Sequence, residues 1–389
     1  MRCEPHCESE PQYMSELASY SIQAIIFALI AVIVVSRSKK TDLYQFGLIS
    51  TWLIGVIVIY ARYKDDQVLF YSNDQLFHFR IINYYLPQEG LSFEGIIGLR
   101  YLLTVPVYLV SLLGFNAMLV IKLLQLVSLL EIYQTSKRYL VRSHIAVKPW
   151  HIILFAGPIM IFMSLLALRD LLLALFVIKF VFETSPKQKT LGLLFAFLLR
   201  PHLGVALIVG ALIAHFYLRM KPRFQLLNLC MISLCTYVFG SITYWFGSFV
   251  QAGTQIKLPE NLFTQLKFTR LLANFFGLQF LTLRGGDDTV VALPNIALLA
   301  ARLIFLDSFL IPMLFIYALF AHIKFLSYQK ASIFLSFVFF YGVVSQTSYN
   351  STRQNIPFLA CMGLLAVADI EHFRKIKAKV APKLLLASR

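Results

Sequence analysis

The chain has 389 residues, 59% of them hydrophobic and 14% charged, with a mean hydropathy of +0.73. That balance, sustained along almost the whole length, excludes an ordinary soluble domain and describes a polytopic membrane protein. The net charge of +16 does not signal a nucleic-acid partner. The basic residues sit in short clusters between apolar runs, around Lys39 and Lys40, Lys137 to Lys148, Lys187 and Lys189, Arg219 to Arg223, and Arg374 to Lys383, as cytoplasmic anchoring loops do.

At about 20 residues per span the length allows roughly ten crossings. No polar stretch is long enough for a separate globular domain, so residues 1–389 read as one transmembrane domain. Near the N-terminus Cys3 and Cys7 flank His6 and could chelate a metal, but two thiols and one imidazole are few for a site, and a disulfide or no role is the expectation. Cys230, Cys235 and Cys361 lie in apolar spans and are expected to pack as small hydrophobes. No cleavable signal peptide is expected: the first apolar run, Leu17 to Val35, is long enough to span and lacks a small-residue cleavage site. Glu4, Glu8, Glu10 and Glu16 precede it and Arg37, Lys39 and Lys40 follow, which places the N-terminus outside.

A second span, about Tyr44 to Tyr60, leads to a first outer loop at residues 61–98. One crossing is expected near Asn116 to Tyr133, with Tyr101 to Leu113 re-entrant or lying on the outer leaflet. Trp150 to Phe182 is too long for one span and is interrupted at Arg169-Asp170. Leu191 to Leu218 is interrupted at Arg200-Pro201-His202, where proline removes a backbone donor and restricts the residue before it. Both stretches read as pairs of short helices turning at the outer face. Broken spans line cavities, because unpaired backbone is not tolerated against lipid. A span near Phe224 to Phe246 follows, then a large outer loop at 247–295 with an amphipathic interfacial helix within Leu262 to Phe280. Three more spans, about Ile296 to Ile323, Ser332 to Val344 and Pro357 to Ala368, precede a basic cytoplasmic tail at 371–389. The fold class is all-α polytopic membrane protein, with about eleven transmembrane helices in a range of about ten to thirteen.

This topology collects the chemistry-bearing residues at one face. The first outer loop supplies Asp65, Asp66, Asp74, His78 and Arg80; the breaks supply Arg169, Asp170, Arg200 and His202; the later loops supply Arg284, Asp287, Asp288, Tyr349 and Arg353. An arginine near hydrocarbon is costly and usually faces a cavity and a counter-charge, and its planar fork suits phosphate. A carboxylate or histidine beside it can take a proton from an attacking hydroxyl. Each has a bland counterpart: Asp74 and His78 in a solvated loop, Arg169-Asp170 as an ion pair at a helix end, Arg200-Pro201-His202 as a cap, Arg302 and Asp307 as mutual neutralisation or contact with a neighbouring helix. Their co-location carries the inference. No Gly-rich phosphate loop, helical His-Glu-x-x-His or Gly-x-Ser-x-Gly elbow is present.

The run Pro158 to Asp170, containing Ser164 and Arg169, followed by a basic turn and Arg200-Pro201-His202-Leu203-Gly204, resembles the O-antigen and exopolysaccharide polymerases of the Wzy and EpsG type and the related GT-C integral-membrane glycosyltransferases. The Asp74 loop resembles the first outer loop of GT-C enzymes, and Arg353 to Pro357 resembles their last outer turn. The resemblance implies a GT-C-like fold in a bacterial inner membrane, N-terminus outside and C-terminus cytoplasmic. It implies transfer of a sugar or oligosaccharide from a polyprenyl-(di)phosphate donor to a glycan hydroxyl, alongside other polysaccharide-assembly membrane proteins. Asp74 is then the general base, with His78 and His202 as alternates. Arg169, Arg200, Arg353 and Arg284 hold the phosphate, and Asp66, Asp170 and Tyr349 support them. No metal or other cofactor is required, although Asp65 and Asp66 offer ligands for a divalent ion. Two departures stand: an extra N-terminal span precedes the Asp74 loop, and the acidic pair of some GT-C loops is split between Asp65-Asp66 and Asp74. A transporter or flippase for a lipid-linked saccharide would use the same arginines without chemistry, and a membrane O-acyltransferase would need a histidine such as His202.

Overall fold

The computed structural model describes residues 10–36, 42–63, 72–89, 95–219, 225–252, 303–304, 306–321, 326–344 and 355–387. These are helical throughout, with no strand among them: α1 Glu10–Ser36, α2 Leu43–Tyr63, α3 Ser72–Arg80, a π-helical turn Ile81–Tyr85, α4 Leu86–Glu89, α5 Gly95–Ser111, α6 Ala117–Arg142, α7 Pro149–Ala156, α8 Pro158–Ser164, α9 Asp170–Phe182, α10 Pro186–Leu199, α11 Pro201–Arg219, α12 Gln225–Ala252, α13 Asp307–Ala321, α14 Tyr328–Val344 and α15 Ile356–Ala387. Helices are what lipid demands, since each backbone donor and acceptor must be satisfied within its own segment.

Among the described residues six helices are long and apolar enough to cross a membrane: Tyr13–Ser36, Leu43–Tyr63, Ala117–Arg142, Pro201–Arg219, Leu226–Thr243 and Ile356–Lys375. Three shorter apolar helices, Leu102–Ser111, Asp307–Ala321 and Tyr328–Val344, accompany them. The protein is an all-α, multi-pass membrane protein. The described residues of the segment read as the first outer loop, 61–63, 72–89 and 95–98, are helical, in the end of α2, α3, the π turn, α4 and the start of α5. The segment read as a basic tail continues α15 as helix to Ala387.

The chain divides into two compact units. The first contains residues 1–130, 161–169 and 284–295. In it α1 packs on α2, with the Tyr20 and Tyr60 rings stacked at 3.8 Å. Lys122, 1% exposed, donates to the Tyr20 hydroxyl at 3.1 Å and so tethers α6 to α1. Ile81 and Leu86 pack against Phe77, Val105 and Tyr108, which seats the α3–π–α4 helix on α5.

The second unit contains residues 131–160, 170–283 and 296–389. Its centre is α14, in which every residue from Lys330 to Val344 is buried, with α11 and α12 against it. Small residues make this possible: a Cβ on Gly210 would fall 2.1 Å from Ser336 Oγ, and one on Gly342 would fall 2.4 Å from the Tyr237 carbonyl oxygen. Helices in lipid gain from such close approach because van der Waals contact replaces the hydrophobic drive. Cys361 is buried as expected, whereas Cys230 and Cys235 lie on the exposed face of α12, where a thiol meets lipid as readily as a methyl group does.

The two ends of this unit differ in charge. At one end Arg138 Nη2 contacts Glu131 and Glu183, each at 3.0 Å, and Lys179 lies 3.6 Å from Glu131. There too Glu371 Oε1 receives Lys148 Nζ at 2.8 Å, Arg374 Nη1 at 3.0 Å and His151 Nε2 at 3.2 Å, while Lys330 pairs with Asp369. The other ends of α9, α10 and α14 carry Asp170, Arg200 and Phe340.

Candidate functional site

In the first unit the helix break between α8 and α9 is held by side chains. Leaving helical geometry at Ser164 strands backbone groups that lipid cannot satisfy. Trp52 Nε1 donates to the Ser164 carbonyl at 3.1 Å, Gln75 Oε1 accepts from the Ala167 amide at 2.8 Å, and His78 Nδ1 meets the Ala167 carbonyl at 3.0 Å. All three side chains are buried, at 0%, 0% and 1% exposure. A Cβ on Gly55 would fall 2.7 Å from the Leu165 side chain, so α2 presses on the break. A solvated loop is therefore the wrong description of His78: its helix is tied to the break by two bonds to one residue.

The bond also assigns a tautomer. A carbonyl oxygen only accepts, so Nδ1 carries the proton and a neutral His78 presents a lone pair at Nε2. Asp74 lies in the first turn of the same helix, one turn before His78. Arg169 is half-buried at the end of the break, two residues after Ala167.

In the second unit Arg200 is the only residue between α10 and α11 and belongs to neither. Its backbone is extended, with φ −155° and ψ 85°, and Pro201 opens the next helix where a missing amide costs nothing. The Arg200 carbonyl accepts from Leu203 at 2.9 Å and Gly204 at 3.2 Å, so it also caps α11. The α10–α11 turn is tight because residue 204 is glycine: a Cβ there would fall 2.5 Å from the Phe197 Cα.

The Arg200 side chain is 8% exposed. Nε donates to His202 Nε2 at 3.0 Å, Nη1 lies 4.0 Å from Asp170 Oδ1, and the guanidinium carbon is 5.2 Å from the centre of the Phe340 ring. The His202 ring stacks on the same Phe340 at 5.6 Å. Since the arginine must donate, His202 Nε2 accepts, and a neutral His202 carries its proton on Nδ1. This geometry makes His202 a support for Arg200. Asp170, 1% exposed, opens α9, where the helix dipole favours a negative charge. The Tyr341 hydroxyl is buried with no hydrogen-bond partner among the described residues, within electrostatic reach of Arg200.

Asp307, read as neutralising Arg302 or contacting a neighbouring helix, does the latter. Its Oδ2 accepts from the Ile159 amide at 3.3 Å, at a second break, Gly157-Pro158, between α7 and α8. Arg302, Asp65, Asp66, Arg284, Asp287, Asp288, Tyr349 and Arg353 lie outside the described residues. Sequence reasoning missed Gln75, Trp52, Phe340 and Tyr341. Gln75 sits inside the Asp74–His78 motif, whereas the aromatic residues carry no local signal among 57 Phe, Tyr and Trp. Among the described residues no group of three or more His, Cys, Asp or Glu side chains could hold a metal ion. No family model, curated protein or solved structure matches the chain.

Proposed function

We propose that the protein is an integral-membrane glycosyltransferase, of the kind that polymerises envelope polysaccharide from a polyprenyl-(di)phosphate-linked donor in a bacterial inner membrane, with the reacting end on the outer side. The observation that carries this reading is Arg200: a nearly buried guanidinium at a helix break, bonded to His202, shelved on Phe340 and 4.0 Å from Asp170. An arginine buried at a helix break, with its planar fork, is suited to recognising a phosphate. A phosphate leaving group is the anion whose charge grows as the reaction proceeds, so its binding accelerates the chemical step.

In the proposed reaction an acceptor hydroxyl oxygen attacks the anomeric carbon, and the bond from that carbon to the phosphate oxygen breaks. The phosphate keeps the electron pair, and the hydroxyl proton passes to a base. Arg200 binds the phosphate, with Tyr341 as a neutral donor within its electrostatic reach; Arg169, Arg284 and Arg353 are the further arginines that the sequence resemblance implies for that role. For the base, the sequence resemblance implies Asp74 or His78. A neutral His78 bonded through Nδ1 to the Ala167 carbonyl is a base at Nε2, whereas the Nε2 of His202 accepts from Arg200.

The test is a surface-polysaccharide ladder from cells lacking the protein, rescued with wild type, Arg200→Ala, Asp74→Ala or His78→Gln. Collapse of the ladder to single repeats, rescued by wild type and not by Arg200→Ala, is expected. A full ladder with Arg200→Ala at normal protein levels overturns the reading.

A further inference from the structure

At the basic end of the second unit lies a cavity of about 240 Å³ walled by the end of α6, the start of α14 and the middle of α15. Its polar lining includes Tyr139, Ser143, Lys330, Asp369, His372 and Lys375. We propose that this cavity binds a phosphate group, independently of the Arg200 site.

Three observations argue it. The first is charge. Asp369 is the one carboxylate in the lining and pairs with Lys330, which is 7% exposed and therefore built into the wall. Lys375, exposed at the rim, adds a cation that no lining carboxylate offsets, and the exposed His372 adds an imidazole donor. The second is donor chemistry. Ammonium, imidazole and hydroxyl groups line one space, and the Tyr139 hydroxyl, also bonded to the Ser143 side chain, donates to Gln329 Oε1 at a long 3.4 Å, a bond that a better acceptor can replace. The third is construction. The backbone next to the lining residue Ser143 is fixed: His144 takes a left-handed conformation at φ 55°, and Lys375 Nζ donates to its carbonyl at 2.6 Å. The Ile145 amide bonds the Leu140 carbonyl and the His144 amide bonds that of Val141, which ends α6 in a Schellman turn. Positive loops that merely orient a membrane protein have no need of a walled cavity. At about 30 Å³ per water, this one has room for a phosphate and the first atoms attached to it.

The phosphate comes either from an anionic lipid headgroup of the adjoining leaflet or from a free anion, and the experiment separates them. Full-length protein in phosphatidylcholine nanodiscs is unfolded thermally, in one arm with a graded fraction of phosphatidylglycerol. The other arm adds inorganic phosphate against chloride at matched ionic strength. A saturable rise in the unfolding midpoint of about 1–3 °C is expected in at least one arm. A rise with phosphatidylglycerol alone identifies the headgroup, and a rise with phosphate identifies the free anion. The double variant His372→Gln, Lys375→Gln alters only rim side chains and should weaken the apparent affinity about tenfold. Lys187→Gln, an exposed basic residue outside the cavity, should leave it unchanged. No rise in either arm, an undiminished rise in the double variant, or an equal loss in Lys187→Gln overturns the proposal.

Discussion

Substituting Gly342 by alanine tests the packing at the centre of the second unit without reference to function. The new Cβ would fall 2.4 Å from the Tyr237 carbonyl oxygen, 3.0 Å from the Gly240 Cα and 3.1 Å from the Ser241 amide nitrogen, all backbone atoms of α12. Carbon and carbonyl oxygen settle at about 3.3–3.6 Å, so α12 must retreat from α14 by about 1 Å. No rotamer change relieves the clash, because no side chain causes it. A gap of that size forfeits about a quarter to a half of each dispersion contact along the crossing. It also strains the bonds from the Ser241 hydroxyl to the Tyr237 carbonyl at 3.2 Å and the Gly342 carbonyl at 3.1 Å. The expected cost is about 1–3 kcal/mol, the usual range for overpacking. Gly47→Ala is the control: it lies exposed on α2 with nothing within 4 Å of a new Cβ and should be close to neutral. Unfolding of the purified protein in mixed detergent measures both. Equal stability of the two variants refutes the α12–α14 crossing.

The break in the first unit gives a second prediction: Gln75→Ala leaves the buried Ala167 amide unsatisfied and should cost about 1–3 kcal/mol in the same unfolding assay. At the basic end, Glu371→Ala strands the Nε2 proton of His151, whose side chain is 0% exposed, and should cost about 1–3 kcal/mol. Glu371→Gln keeps an acceptor for His151 and gives up ion pairs to two half-exposed cations, which are worth little; equal losses in the two variants would show that the histidine contact does not matter. Arg200→Lys keeps the charge and gives up the planar fork that reaches His202 and lies over Phe340. Its polymer yield in the ladder assay should fall about 10–100-fold, one charged hydrogen bond's worth, with little change in unfolding midpoint. Full activity would argue that any cation suffices there.

Much of the helix pattern was legible along the chain, because apolar runs of spanning length between basic clusters have few other solutions. Interruptions at Arg169-Asp170 and Arg200-Pro201-His202 were also legible: a charge or a proline inside a hydrophobic run ends a helix for local reasons. The Gly157-Pro158 break carried the same local signal and was passed over, and only the structure shows Asp307 filling the space that a side chain on residue 157 would take. Other features were not local at all. Gln75 and His78 bond a residue 92 and 89 positions away, respectively, and Phe340 is one aromatic among many until Arg200 lies over its ring. The sequence by itself determined the solvent this protein lives in, its helical class and the breaks at Arg169-Asp170 and Arg200-Pro201-His202, because these follow from backbone chemistry in lipid. Only tertiary structure decided which side chains satisfy the broken backbone and which surround the buried guanidinium, because those contacts join segments whose separation along the chain says nothing about their separation in space.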